Sequence, residues 1–247
     1  MTEALHSADL APTPAERAGH APDRPAPRDA HGHARSLVAH HFDDLEQQHE
    51  ASRLGMWTFL VTEVLFFGGL FCAYVVYRSA YPAAFAAGSR TLDLWAGGFN
   101  TAVLIGSSLS MALAVAAAHD GDRRALIRNL LLTILLGAVF LGVKVYEYAH
   151  KFEEGHVPGP YFRFSDGLLP DRAEPLFFGL YFAMTGLHAV HMIIGIGILA
   201  VLAGLAHLRR IGPDWWMPVE LTGLYWHFVD VVWIFLFPLL YLIDRHV

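Results

Sequence analysis

Glu63 lies within a long apolar run from Leu54 to Tyr77, and an ionisable group at membrane depth costs several kcal/mol unless it is paired or neutralised. Nine residues at about 1.5 Å each carry it about 13 Å along that run, close to the middle of a hydrocarbon core about 30 Å thick. Val64, Phe66 and Phe67 give it a dry surround. Two readings stand side by side: a functional carboxyl, or a group that only hydrogen-bonds a neighbouring helix. Further along, Thr185, His188 and Met192 share one helical face, with His191 one turn from His188. His227 and Asp230 sit three apart among Tyr225, Trp226 and Trp233. Counted from the start of their runs, His188 and Asp230 reach the depth of Glu63, so the three are expected to form one polar cluster.

Metal chemistry is the alternative use of these side chains. Histidines at membrane depth can ligate haem or copper, and Glu147-x-x-His150 has the spacing that one helix gives to a di-iron site. A di-iron site needs a second such pair at the same depth, and the other matches, Glu3/His6 and Glu46/His49, fall in a hydrophilic stretch. The expectation is therefore no metal site in this chain, with the histidines bonded between helices or to lipid headgroups. Cys72 is the sole cysteine, which rules out an internal disulfide and a Cys-x-x-Cys motif. No glycine-rich phosphate loop and no nucleophile beside a base at one depth is present.

The elements that hold these residues are read from composition and pattern. Of 247 residues, 55% are hydrophobic and 16% charged, and the mean hydropathy is positive, which speaks against a water-soluble globule. A net charge of −6 without a basic stripe argues against nucleic acid. Five runs near 54–77, 94–118, 127–149, 176–206 and 219–243 are long enough to cross a bilayer. Strict alternation is absent, so the expected fold class is an all-α bundle of five transmembrane helices rather than a β-barrel. Residues 1–50, with five prolines and few large apolar side chains, are expected to be a disordered cytoplasmic tail, with Val38, Phe42 and Leu45 marking a short amphipathic helix. Residues 51–247 form the membrane domain. Arg123, Arg124, Arg128, Arg209 and Arg210 crowd two short connections, which places the N-terminus inside and the C-terminus outside. Ala102, Gly106, Ser110, Ala114 and Ala118 recur every four residues and are expected to form a packing face. Lys144 is expected to snorkel outward or to pair with Glu147.

Four segments carry a resemblance. RLGMWTFLVTEVLFFGGLF, from Arg53 to Phe71, resembles the glutamate-bearing helix of cytochrome c oxidase subunit III. FNTAVLIGSSLSMALAVAAAH (Phe99 to His119), FFGLYFAMTGLHAVHMIIG (Phe177 to Gly195) and YWHFVDVVWIFLF (Tyr225 to Phe237) are similar to later segments of that family, in the same order. The resemblance implies a helical bundle beside subunit I of a haem–copper oxidase, in the five-span bacterial form, with haem and copper in partner subunits and none in this chain. It implies that Glu63 is the family carboxylate tied to oxygen supply and sustained turnover. His188, His191, His227 and Asp230 fall on positions that structure the bundle or hold lipid, and Arg53 and Trp57 on headgroup positions. Subunits I and II and structural phospholipid are the implied partners, and the bacterial inner membrane the implied location. Cytochrome c is the expected electron donor. The alternatives are a quinol oxidase subunit, a homologue accompanying nitric-oxide reductase, or a haem-binding membrane redox protein with His188 or His227 as an axial ligand.

Overall fold

The computed structural model describes residues 42, 44–159, 162, 173–212 and 215–243. Of the expected tail, residues 42 and 44–50 are described, and Leu45 to Glu50 form the start of the first long helix; Val38 and the rest lie outside the described residues. A compact unit begins at His49. Five helices are long and apolar enough to cross a membrane: α1 (Leu45–Ala80), α3 (Leu94–Asp120), α4 (Arg123–Glu154), α5 (Glu174–His207) and α6 (Met217–Tyr241). A short helix α2 (Pro82–Arg90) lies between the first two. Among the described residues there are no strands, as the apolar periodicity predicts. All five long helices contain the expected runs but for the last two residues of the fifth, Leu242 and Ile243, which lie beyond α6.

Each boundary has a local cause. The Asp93 carboxylate accepts from the amides of Trp95 and Ala96, and that of Asp122 from Arg124 and Ala125, so both helix starts are capped. Gly121 (φ 74°) ends α3 and Gly155 (φ 76°) ends α4, in the left-handed conformation that costs glycine least. The last carbonyls of α5 take the Arg123 guanidinium, through Nε to Ala206 at 2.8 Å and Nη2 to His207. Near the end of α6, Tyr74 donates to the Leu239 carbonyl at 2.7 Å and Ser89 to that of Leu240 at 2.8 Å. In hydrocarbon no water offers these carbonyls a partner, so hydroxyls from α1 and α2 supply it.

Helices α3 to α6 close a ring in which α3 packs on α4 and α6, and α5 on the same two. Trp226 fills the middle. A Cβ on Gly195 would come within 2.8 Å of its ring and one on Gly137 within 3.0 Å, so α5 and α4 bring bare backbone against the two sides of the indole. Its Nε1–H donates to the Ser107 hydroxyl at 3.1 Å. In contrast α1 buries only Leu60, Phe67 and Tyr74, seven residues apart and therefore one narrow stripe. Leu54, Val61, Val64, Leu65 and Phe66 stay exposed.

Lys144 does not snorkel. It is 3% exposed, and its three ammonium hydrogens match three acceptors: Glu147 Oε2 at 2.8 Å, Tyr241 Oη at 2.9 Å and Tyr181 Oη at 3.1 Å. Tyr241 in turn donates to Glu147 Oε1 at 2.6 Å. The rings of Tyr148, Tyr181, Trp233 and Tyr241 stand 5.0–5.6 Å from the charge, within cation–π range. One ion pair thus joins α4, α5 and α6.

Two predictions follow from this packing. Gly195→Val should lower the melting temperature of the purified protein by the equivalent of about 1–3 kcal/mol, the usual cost of overpacking, while Gly197→Val, with nothing within 4 Å of its Cβ, should leave it unchanged. Lys144→Met or Glu147→Leu alone should each cost about 3–5 kcal/mol because a charge is left buried without its partner. The double variant should then lose clearly less than the sum, read by thermal unfolding.

Candidate functional site

Glu63 projects from α1 toward α5, where its Oε2 meets His191 Nε2 at 3.2 Å. The opposite ring nitrogen of His191, Nδ1, lies 2.9 Å from the Leu187 carbonyl. A carbonyl oxygen only accepts, so Nδ1 carries the hydrogen. The short contact at Nε2 then has two forms: a neutral carboxyl donating to neutral imidazole, or a carboxylate accepting from imidazolium. Both hold one shared proton and no net charge. The pair is thus electroneutral whichever atom the proton sits on, which removes most of the cost of placing it in hydrocarbon.

The surroundings hold it in place. Tyr225 donates to the His191 carbonyl at 2.9 Å. Phe67 stands edge-on to the His191 ring at 5.4 Å and to Phe228 at 6.1 Å. Val64 and Phe66, expected to enclose the carboxyl, instead point outward; the dry wall comes from Phe67 and α6. The side chains of Glu63 and His191 keep 19% and 13% exposure, so the pair sits at the edge of the bundle.

The expected cluster of Glu63, His188 and Asp230 is therefore divided. Helical rotation explains it: at about 100° per residue, His191 is turned about 60° from His188. His191 faces α1, whereas His188 faces the ring interior between Phe140 and Trp233. His227 Nδ1 pairs with the Ser108 hydroxyl at 2.7 Å and ties α6 to α3. Asp230 is buried on α6.

At the end of the bundle where α1 begins, Arg53 Nε lies 3.4 Å from Glu220 and its guanidinium covers Trp216 at 5.8 Å. His119 packs on the same indole at 3.9 Å. Trp57 is 57% exposed and free to meet lipid. Of the small-residue face, Ser110, Ala114 and Ala118 are buried and Ser110 bonds Thr133 of α4 at 2.7 Å, whereas Ala102 and Gly106 are exposed. Along this stretch Val103, Ser107 and Ser110 are the buried positions; Ser107 accepts from Trp226 of α6, and Ser110 bonds Thr133 of α4.

The residues that sequence reasoning undervalued are Tyr181 and Tyr241, the two hydroxyls that complete the Lys144 shell; tyrosines one turn from either end of apolar runs read as interfacial anchors. Among the described residues, no group of three or more His, Cys, Asp or Glu could hold a metal ion. Fold and site together define a polytopic membrane helical bundle with an electroneutral carboxyl–imidazole pair at mid-span.

Sequence comparison makes the class specific. The family model for cytochrome c oxidase subunit III matches residues 38–244, and the chain belongs to that family. It is 36% identical over 220 residues to cytochrome c oxidase subunit 3 of Synechocystis sp., covering 88% of this chain and 81% of the relative. It is 35% identical over 195 residues to the protein of that name from Thermostichus vulcanus, covering 78% and 87%. Cytochrome bo(3) ubiquinol oxidase subunit 3 of Pseudomonas putida is 29% identical over 193 residues, covering 77% and 84%.

The geometry of the small-residue face yields a prediction. Ser110→Leu should cut recovery of folded protein several-fold, since the site is 3% exposed. Gly106→Leu should leave the bundle's own stability near wild type, because the nearest atom to its Cβ, on Leu136, is 3.8 Å away. Equal loss in both, measured by detergent-solubilised yield, would contradict this assignment of the packed face.

Proposed function

We propose that the chain is the subunit III of a bacterial terminal oxidase that takes electrons from cytochrome c, that it packs on subunit I through α1, and that the Glu63–His191 pair serves oxygen access and sustained turnover. The chain then acts within a proton-translocating enzyme whose haem and copper are held by partner subunits. The observation that carries this reading is the neutral pair at mid-span of α1, on the helix with the most uncovered apolar surface. A group that keeps zero net charge while its proton moves can sit beside a partner's membrane interior without a field that perturbs it. The bundle lies in the inner membrane, with its N-terminus in the cytoplasm and phospholipid at Arg53 and Trp57. The two relatives at 35–36% identity described above are named as cytochrome c oxidase subunits, which favours that donor; the ubiquinol oxidase relative supports a quinol donor as the second reading.

Glu63→Gln keeps the shape and a hydrogen bond to Nε2 while removing the shared proton. The purified complex should assemble with unchanged haem content and an initial oxygen-consumption rate within about twofold of wild type, as expected of a residue outside the redox centres. Activity should decay faster during turnover, or fall selectively at low oxygen. Wild-type behaviour in initial rate, oxygen dependence and decay would reduce the pair to a packing element. Assaying the same complex with reduced cytochrome c and with a quinol identifies the donor.

A further inference from the structure

Beyond the Glu63–His191 pair, buried polar groups gather in the half of the ring away from the start of α1. His188 is 1% exposed, and neither ring nitrogen has a hydrogen-bond partner in the protein. Asn100 is fully buried: its Nδ2 reaches the Phe140 carbonyl at 3.4 Å, and its Oδ1 has no protein partner. Asp230 is buried on α6 beside the Ser108 hydroxyl, which also bonds His227. Each such group in hydrocarbon carries a desolvation penalty that a protein normally offsets with a buried water.

A route for that water is on the same face of α4. A surface cleft of about 200 Å³ is lined by Asp93, Glu147, His150, Lys151 and Glu154, with Ala96 at its side. Glu147 belongs both to the cleft and to the buried Lys144–Tyr241 cluster. Lys144 lies 5.3 Å from the Trp233 ring, and the His188 ring lies 5.3 Å from that same indole. Polar contacts run from the cleft through Glu147 to Lys144, and the Trp233 indole alone stands against both Lys144 and His188, while Phe140, packed edge-on to both His188 and Trp233, walls the site on its other side.

We propose that the bundle contains an internal hydration site at His188, filled with water admitted from the Glu147 cleft past Lys144. Water is the ligand because it is small enough to reach such a site and can donate to the bare imidazole nitrogen or accept from the protonated one, one molecule on each edge of the ring. Its bonding groups are the two nitrogens of His188. The site is independent of the electron donor and of the role of Glu63.

X-ray radiolytic labelling of the intact purified complex in H2(18O) tests this, since hydroxyl radicals formed from a bound water oxidise the side chains beside it, buried or not. In the wild-type protein His188 and Trp233 should both acquire 18O, although both are buried. Ala96→Trp fills the cleft from α3, leaves both members of the ion pair in the sequence and should slow 18O uptake at His188 at least tenfold. His188→Phe removes both nitrogens and should abolish labelling at Trp233. No label at His188 and Trp233 in the wild type would overturn the site. Uptake unchanged by Ala96→Trp would overturn the route, and Trp233 labelling unchanged by His188→Phe would overturn His188 as its holder.

Discussion

A lysine ammonium enclosed at membrane depth leaves the chain few options, and the rest of the ring is arranged around the one it takes. Lys144 cannot stay charged in hydrocarbon without three acceptors, and α4 alone supplies one, the Glu147 carboxylate one turn on. The other two are the hydroxyls of Tyr181, near the start of α5, and Tyr241, the last residue of α6. Their positions fix the register of three helices at once, since a shift of α5 or α6 by one residue, about 1.5 Å along the axis, would break a 3 Å bond. The Trp226 clamp fixes the same helices by shape farther along. Polar bonding sets the height and steric fit sets the separation.

Two of the bundle's carboxyl pairs, Lys144–Glu147 and Glu63–His191, solve one problem in different ways. Lys144–Glu147 is a charged pair closed in by tyrosine hydroxyls and four aromatic faces, and it touches solvent only through the cleft edge. Glu63–His191 has no such shell. Its proton lies between two groups of adjustable charge, and its wall is a few rings of α1 and α6. The first arrangement is rigid because any loss of a partner strands a charge. The second can redistribute its proton with no change in total charge.

Much of the fold was legible because hydrocarbon imposes length and composition on every spanning element: the five runs reappear as five helices. Glu63, His188, His191, His227 and Asp230 were also legible as polar residues where none should stand. Their pairing was not. Depth is a linear count along a run, whereas partner choice depends on rotation about the axis, and 60° separates the His191 face from the His188 face. The small-residue stripe misled at Ala102 and Gly106 for a related reason: a strict four-residue repeat drifts around a 3.6-residue helix, so its two ends cannot face one neighbour.

The asymmetry between α1 and the ring bears on how the bundle meets other chains. Four helices pack on one another around Trp226. Helix α1 contributes one stripe of three buried side chains, two anchoring bonds near its ends, through Arg53 and Tyr74, and the Glu63 pair between them. Apolar contact between helices earns little in lipid, because lipid tails are as apolar as leucine. The attachment of α1 therefore rests on its polar contacts, and of these only Glu63–His191 lies at mid-depth. That pair is therefore what holds the middle of α1 against its own bundle.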